Sequence, residues 1–172
     1  MSSKQMPIDE VARCRRTLLA SDQEFRADWL ADGDRTVVPI EEFNSFSDDP
    51  AGERIVSAHR AAGDARLLCL TTADLGPDEP SQAAVVTLDP VELDAWWEEV
   101  RPFDVVLASP DLVRATLVSV DEFALVAGPV AFVEHAVGMS VVEARKAFAV
   151  YADDMKSASR HLPALAEKYG CR

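Results

Sequence analysis

Residues 103–138 read FDVVLASPDLVRATLVSVDEFALVAGPVAFVEHAVG: three apolar runs parted by turn signals, then a short helical pattern. Val105, Val106 and Leu107 are consecutive apolar residues, as in a strand covered on both faces. Ser109-Pro110-Asp111 ends that run, because proline has no amide hydrogen to give to a ladder. A second strand is expected from Ala115 through Leu117 and Val118, and a third from Phe123 to Ala127, with Asp121-Glu122 turning the chain between them. Gly128-Pro129 closes the third and opens a helix, proline being tolerated in a first turn. The connections are short, so the neighbours are expected to be antiparallel, as in a meander.

Working upstream, Asp89-Pro90 starts a helix that runs to about Val100 with Leu93, Trp96, Trp97 and Val100 at spacings of three and four. Ala83–Leu88 and Arg66–Thr72 read as strands, separated by the loop 74–82 with its two prolines and one glycine. Asp49-Pro50 caps a helix bearing Ile55, Val56 and His59, with Gly63 as its stop. Thr36–Ile40 reads as a strand that Pro39 places at an edge or an end. A helix between strands near 37 and 67 is compatible with a βαβ unit or with a mixed sheet. Ser21-Asp22-Gln23-Glu24 has the spacing of a capping box, which predicts a helix starting near Asp22 and carrying Phe25, Trp29 and Leu30. Before it, Ile8, Val11, Cys14 and Leu18 recur at helical spacing, and residues 1–6 read as a flexible tail. Downstream, Ser140 and Glu143 form a second capping box ahead of a stripe through Val141, Ala144, Phe148, Tyr151, Ala152 and Met155; a last helix covers Leu162 to Tyr169.

The expected fold is therefore α+β, or mixed α/β. It has one sheet of about five to six strands, largely antiparallel in its second half, packed with N- and C-terminal helices. At 172 residues the chain is expected to form a single domain, with residues 140–170 a helical segment on the sheet. A 48% apolar content can fill a core of that size and argues against global disorder. No apolar run approaches the roughly 20 residues of a membrane span, and residues 1–16 lack the apolar centre of a signal peptide, so a cytoplasmic location is the default expectation. Cys14, Cys69 and Cys171 are odd in number and far apart, which fits neither a disulfide framework nor a metal knuckle; Cys69 reads as a small core residue.

The net charge of −13 is unevenly placed. Residues 36–134 hold nineteen acidic and five basic side chains, a net −14, while residues 1–35 carry −1 and residues 135–172 carry +2. Such a field disfavours contact with nucleic acid or an anionic membrane and would steer a basic protein.

No phosphate-cradling glycine loop, HExxH, GxSxG or paired CxxC occurs, and no cofactor is implied. His59, His135 and His161 are isolated in sequence and read as surface or capping groups. Adjacent acids such as Glu41-Glu42, Glu98-Glu99, Asp121-Glu122 and Asp153-Asp154 lack EF-hand spacing and are expected by chance among thirty acids. The leading expectation is a non-catalytic protein-binding domain, such as an inhibitor or immunity protein that neutralises a basic partner. Between Asp74 and Asp104 there are nine acids and one base, and Trp96 and Trp97 lie among them. Adjacent helical residues point about 100° apart, so one of the two indoles is expected to be partly exposed. The expected contact residues are Glu92, Asp94, Trp96, Trp97, Glu98 and Glu99, joined by Phe43 and Phe46 from an otherwise polar loop. One alternative is an enzyme or small-ligand site at the strand ends, built from Thr71, Thr72 and Ser109 with His59 or His135. The other is an assembly subunit whose C-terminal helices form its oligomer face.

Overall fold

The computed structural model describes residues 3–171. In chain order its elements are β1 (Lys4–Gln5), α1 (Ile8–Leu18), β2 (Leu19–Ser21), β3 (Glu24–Phe25), α2 (Ala27–Asp32), β4 (Thr36–Glu41), α3 (Pro50–Ala61) and β5 (Arg66–Thr71). They continue with β6 (Ala83–Thr87), α4 (Pro90–Val100), β7 (Val105–Ala108), β8 (Ala115–Val118), β9 (Phe123–Gly128), α5 (Val130–Val137), α6 (Val141–Asp154) and α7 (His161–Lys168). The fold is α+β. Among the described residues, seven strands form one sheet in the order β1-β6-β5-β7-β8-β9-β4, and β2 and β3 form a separate two-stranded ribbon. Every neighbouring pair in the large sheet is antiparallel.

Residues 103–138 make the centre of this sheet, as their pattern predicts. Val105 pairs with Val118 and Ala108 with Ala115; across the next turn Val118 pairs with Ala124 and Ala115 with Ala127. The strands are antiparallel yet read as continuous apolar runs because helices cover both faces. On one face Cys69, Leu107 and Val126 meet Ile55 and Val56 of α3, Leu93, Trp96 and Trp97 of α4, and Phe132 and Val133 of α5. On the other, Leu68, Leu70, Val106, Leu117 and Leu125 meet Cys14 and Leu18 of α1, Trp29 of α2, and Leu162 and Ala166 of α7. Helix α6 joins the two layers around the β4 edge, with Ala144 in the first core and Phe148 and Ala152 in the second.

The capping signals at Asp49 and Ser140 act as expected. The Asp49 side chain accepts the Ala51 amide, and Ser140 and Glu143 complete a reciprocal box. Pro39 sits on β4, an edge strand. No helix among the described residues is long and apolar enough to cross a membrane.

Several expectations are corrected. The sheet has more strands than the expected five to six, because the supposed tail contributes one: Lys4 pairs with Val85 and Gln5 with Ala84, and Met6 is buried. Residues 1 and 2 of that tail lie outside the described residues. Ser21–Glu24 caps no helix; it is the turn of the β2–β3 ribbon, with the Gln23 amide donating to the Ser21 hydroxyl and the Arg26 amide to the Leu18 carbonyl. Ser and Asp suit a turn as well as a cap, and burial of Phe25 on the sheet decides between them. Ile8 lies off the buried stripe of α1 and is 77% exposed. There is no βαβ unit between strands 37 and 67, since β4 pairs with β9 at the far side of the sheet from β5.

Candidate functional site

The expected contact residues on α4 and in the 43–49 loop do come together, but mainly as core. Trp96 and Trp97 are both buried, as are Phe43 and Phe46, so the expected exposed indole is not found. The apolar face of α4 is wide enough for two tryptophans because they serve different neighbours. The Trp96 indole N–H donates to the Ser81 carbonyl (3.1 Å) beside β6. Trp97 packs edge-on or tilted against Phe43 and Phe46, with ring centroids 5.7 and 5.4 Å away. Arg101 covers the Trp97 ring at 4.3 Å, which closes this cluster to solvent.

Asp94 is equally committed. Its carboxylate accepts from the Ser45 hydroxyl (2.8 Å), the Phe46 amide (2.6 Å), and the amide and hydroxyl of Ser47 (3.0 and 2.6 Å). Burial raises its pKa, but these hydrogen bonds outweigh it and hold the carboxyl below its ordinary value. Of the expected acids, Glu98 pairs with Arg101 at 3.3 Å and Glu99 stays exposed. Glu92 is half-buried, with one carboxylate oxygen sequestered and unpartnered.

The strand-end alternative is dispersed. Thr71 pairs with Val105 at the start of β7 and binds Arg15 from α1, whereas Ser109 follows the other end of β7 and ties the turn at Asp111 and Arg114. The Thr72 amide donates to the Asp104 carbonyl. His135 meets the Ser57 hydroxyl at 3.1 Å. His59 is fully buried, correcting its surface reading, and its Nδ1 lies 2.8 Å from Asp64, which Arg114 holds with two hydrogen bonds. Among the described residues no three His, Cys, Asp or Glu side chains are grouped to hold a metal ion.

An open groove of about 310 Å³ is a different matter. It lies where the end of β4, the first turn of α3, the end of α5 and one face of α6 meet. Ile40, Val137, Ala144 and Phe148 give it apolar walls; Glu41, Glu42, Arg54 and Tyr151 give it polar ones. Sheet register gathers its acids: Glu41 pairs with Phe123, so the next step of the antiparallel ladder sets Glu42 beside Glu122. The Tyr151 hydroxyl donates to the Glu122 carbonyl (2.7 Å), which brings α6 to the same corner. Among the described residues none of Glu41, Glu42 and Glu122 has an ion-pair partner, and one Glu122 carboxylate oxygen is buried without a hydrogen bond. Burial, then the charges of Glu122 and Glu41, push the Glu42 carboxyl up. Burial, then Glu42, Glu41 and Glu122, push the Tyr151 hydroxyl up to about 12, so it stays a neutral donor. Arg54 lies against Gly138 at the end of α5 and holds none of these acids. Sequence reading passes over this site because its parts lie over a hundred positions apart; the adjacent pair Glu41-Glu42 at a strand end is its one local signal.

Comparison with protein-family models, with curated proteins and with solved structures finds no match, so the functional reading rests on this chain's own geometry.

Proposed function

We propose that this chain is a protein-binding domain that engages a basic partner electrostatically, as an inhibitor or immunity protein does. The carrying observation is the crowding of Glu41 and Glu42 in the lining of an open groove, with Glu122 beside them; Arg54 shares that lining but forms an ion pair with none of the three. Like charges held side by side repel, and a cation from a partner would relieve that repulsion. The net −14 of residues 36–134 supplies the longer-range field that would steer such a partner. Of the residues expected to make the contact, Glu99 is exposed on α4 and Glu98 is exposed there in an ion pair with Arg101; Asp94, Trp96, Trp97, Phe43 and Phe46 support the fold instead. A small-ligand reading has one observation in its favour, a groove volume at the lower end of the range of ligand sites.

The test is calorimetric titration with a lysine- and arginine-rich peptide and with an acidic peptide of equal length, at low and moderate salt. The basic peptide is expected to bind and to weaken with salt, while the acidic one does not bind. Glu41→Lys/Glu42→Lys is expected to lose more affinity than Glu98→Lys/Glu99→Lys, although both change the net charge equally. Equal losses would reduce the effect to net charge and remove the groove from the reading; no binding by the basic peptide would overturn the reading itself.

A further inference from the structure

We propose that the groove between β4, α3, α5 and α6 is a socket for one arginine side chain of the partner. This rests on the basic-partner reading and narrows it from a charged surface to one anchor. The groove joins two features that a long basic side chain needs together. Ile40, Val137, Ala144 and Phe148 offer apolar wall to a methylene stem, and Glu41 and Glu42 line the same groove and would meet its charged head. A guanidinium suits those acids better than an ammonium. It bonds two carboxylate oxygens at once and stacks on an aromatic face, and Tyr151 supplies a ring beside the carboxylates. A metal ion would satisfy the charge but leave the apolar walls unused, and a polyamine has methylenes for those walls but no planar fork to bond two carboxylate oxygens at once.

Charge separates this groove from two other openings, and a third, beside Trp96, has a single acid, Glu99, and so no carboxylate pair for a guanidinium. The groove of about 400 Å³ at the β1 edge sets Lys4 and Arg66 against Glu10, which suits a basic partner poorly. The one beneath Ile8, of about 190 Å³, has its arginine, Arg15, already bound by Thr71, Ala73 and Gln82. The α6 groove is lined by Arg54 as well, but Glu41, Glu42 and Asp49 outnumber it and none of them is ion-paired with it.

The experiment maps amide chemical shifts of the labelled full chain titrated with N-acetyl-arginine-N-methylamide. The norleucine analogue controls for the stem, and an arginine-rich peptide controls for the basic-partner reading. Shifts are expected at Glu42, Ala147 and Tyr151, with the norleucine analogue much weaker. Ala147 lines the groove and is exposed, so Ala147→Trp blocks the socket without altering charge or core. Both Ala147→Trp and Glu42→Gln are expected to weaken arginine binding by about tenfold, the scale of one charge-assisted contact. The proposal is overturned if Ala147→Trp binds the arginine probe like the parent, or if norleucine binds equally well. Should the arginine-rich peptide bind while its shifts gather at Glu98 and Glu99, the socket fails and the basic-partner reading stands. Should neither cationic probe bind, both fail.

Discussion

His59 is a fully buried imidazole whose Nδ1 faces Asp64 and whose Nε2 has no hydrogen-bond partner, with the Phe132 ring 4.8 Å away. Arg114, from the β7–β8 turn, completes the set by bonding both oxygens of Asp64. The three side chains tie the end of α3 to the sheet. Burial pushes the His59 pKa below its ordinary value of 6.5, against the pull of Asp64, so the ring is neutral in the fold. The unfolded chain takes up a proton near its ordinary value and the folded chain does not. Stability is therefore fully present above that value and falls as the pH drops below it. Burial also raises Asp64, but hydrogen bonds from His59 and Arg114 outweigh it and hold the carboxyl low. Its contribution is present above about pH 4 and is lost as the pH falls through its folded value. Thermal melts are expected to show Tm falling in two stages, a first that begins as the pH drops through about 6.5 and a steeper one below about pH 4. His59→Gln, which keeps a neutral donor for Asp64, is expected to flatten the first stage; an unchanged profile would remove His59 as its source. Arg114→Met leaves Asp64 without its cation and is expected to cost about 3 kcal/mol in urea unfolding.

At the scale of elements, the 43–49 loop decides much of what a partner would meet, and two helices grip it from different sides. Asp94 of α4 holds its amides and hydroxyls, and Gly52 of α3 lets its backbone pass within contact. A Cβ on Gly52 would stand 2.1 Å from the Ser45 carbonyl oxygen and 2.7 Å from the Phe46 Cα, both backbone atoms that can yield only if the loop moves. Glycine inside a helix ordinarily costs about 1 kcal/mol relative to alanine. Here the sign is expected to reverse, with Gly52→Ala destabilising by about 3 kcal/mol through overpacking; a gain in urea midpoint would sink this account. The strands at 105–127 are legible in sequence because both of their faces are covered, and the caps at Asp49 and Ser140 because those side chains bond their own helix. The β2–β3 ribbon is not, because Ser21-Asp22-Gln23-Glu24 satisfies turn and cap alike and only the packing of Phe25 distinguishes them. Asp94 misleads for a similar reason: an acid on a helix reads as solvent-facing until the loop that it holds folds over it. The groove is least legible of all, since register and helix crossing, not spacing, bring Glu42, Glu122 and Tyr151 to one corner.

Over the whole molecule, one antiparallel sheet serves two helical layers, and α6 belongs to both through Ala144 on one side and Phe148 and Ala152 on the other. Strand residues alternate between the cores, so neither layer can be lost without stripping the sheet that the other needs. The chain is therefore expected to unfold as one cooperative unit despite its separate cores. Its tryptophans make this measurable: Trp29 reports the layer of α1, α2 and α7, while Trp96 and Trp97 report that of α3, α4 and α5. In Trp29→Phe, and separately in the double variant Trp96→Phe/Trp97→Phe, the fluorescence midpoint in urea is expected to coincide with the far-UV circular dichroism midpoint of the same variant. A fluorescence midpoint offset from the dichroism in either would mean that one layer opens first. That result would also bear on the groove, whose walls come from α3 and α5 in one layer, from α6 between the two, and from the β4 edge that they share. A socket built across that junction keeps its shape only while both layers hold.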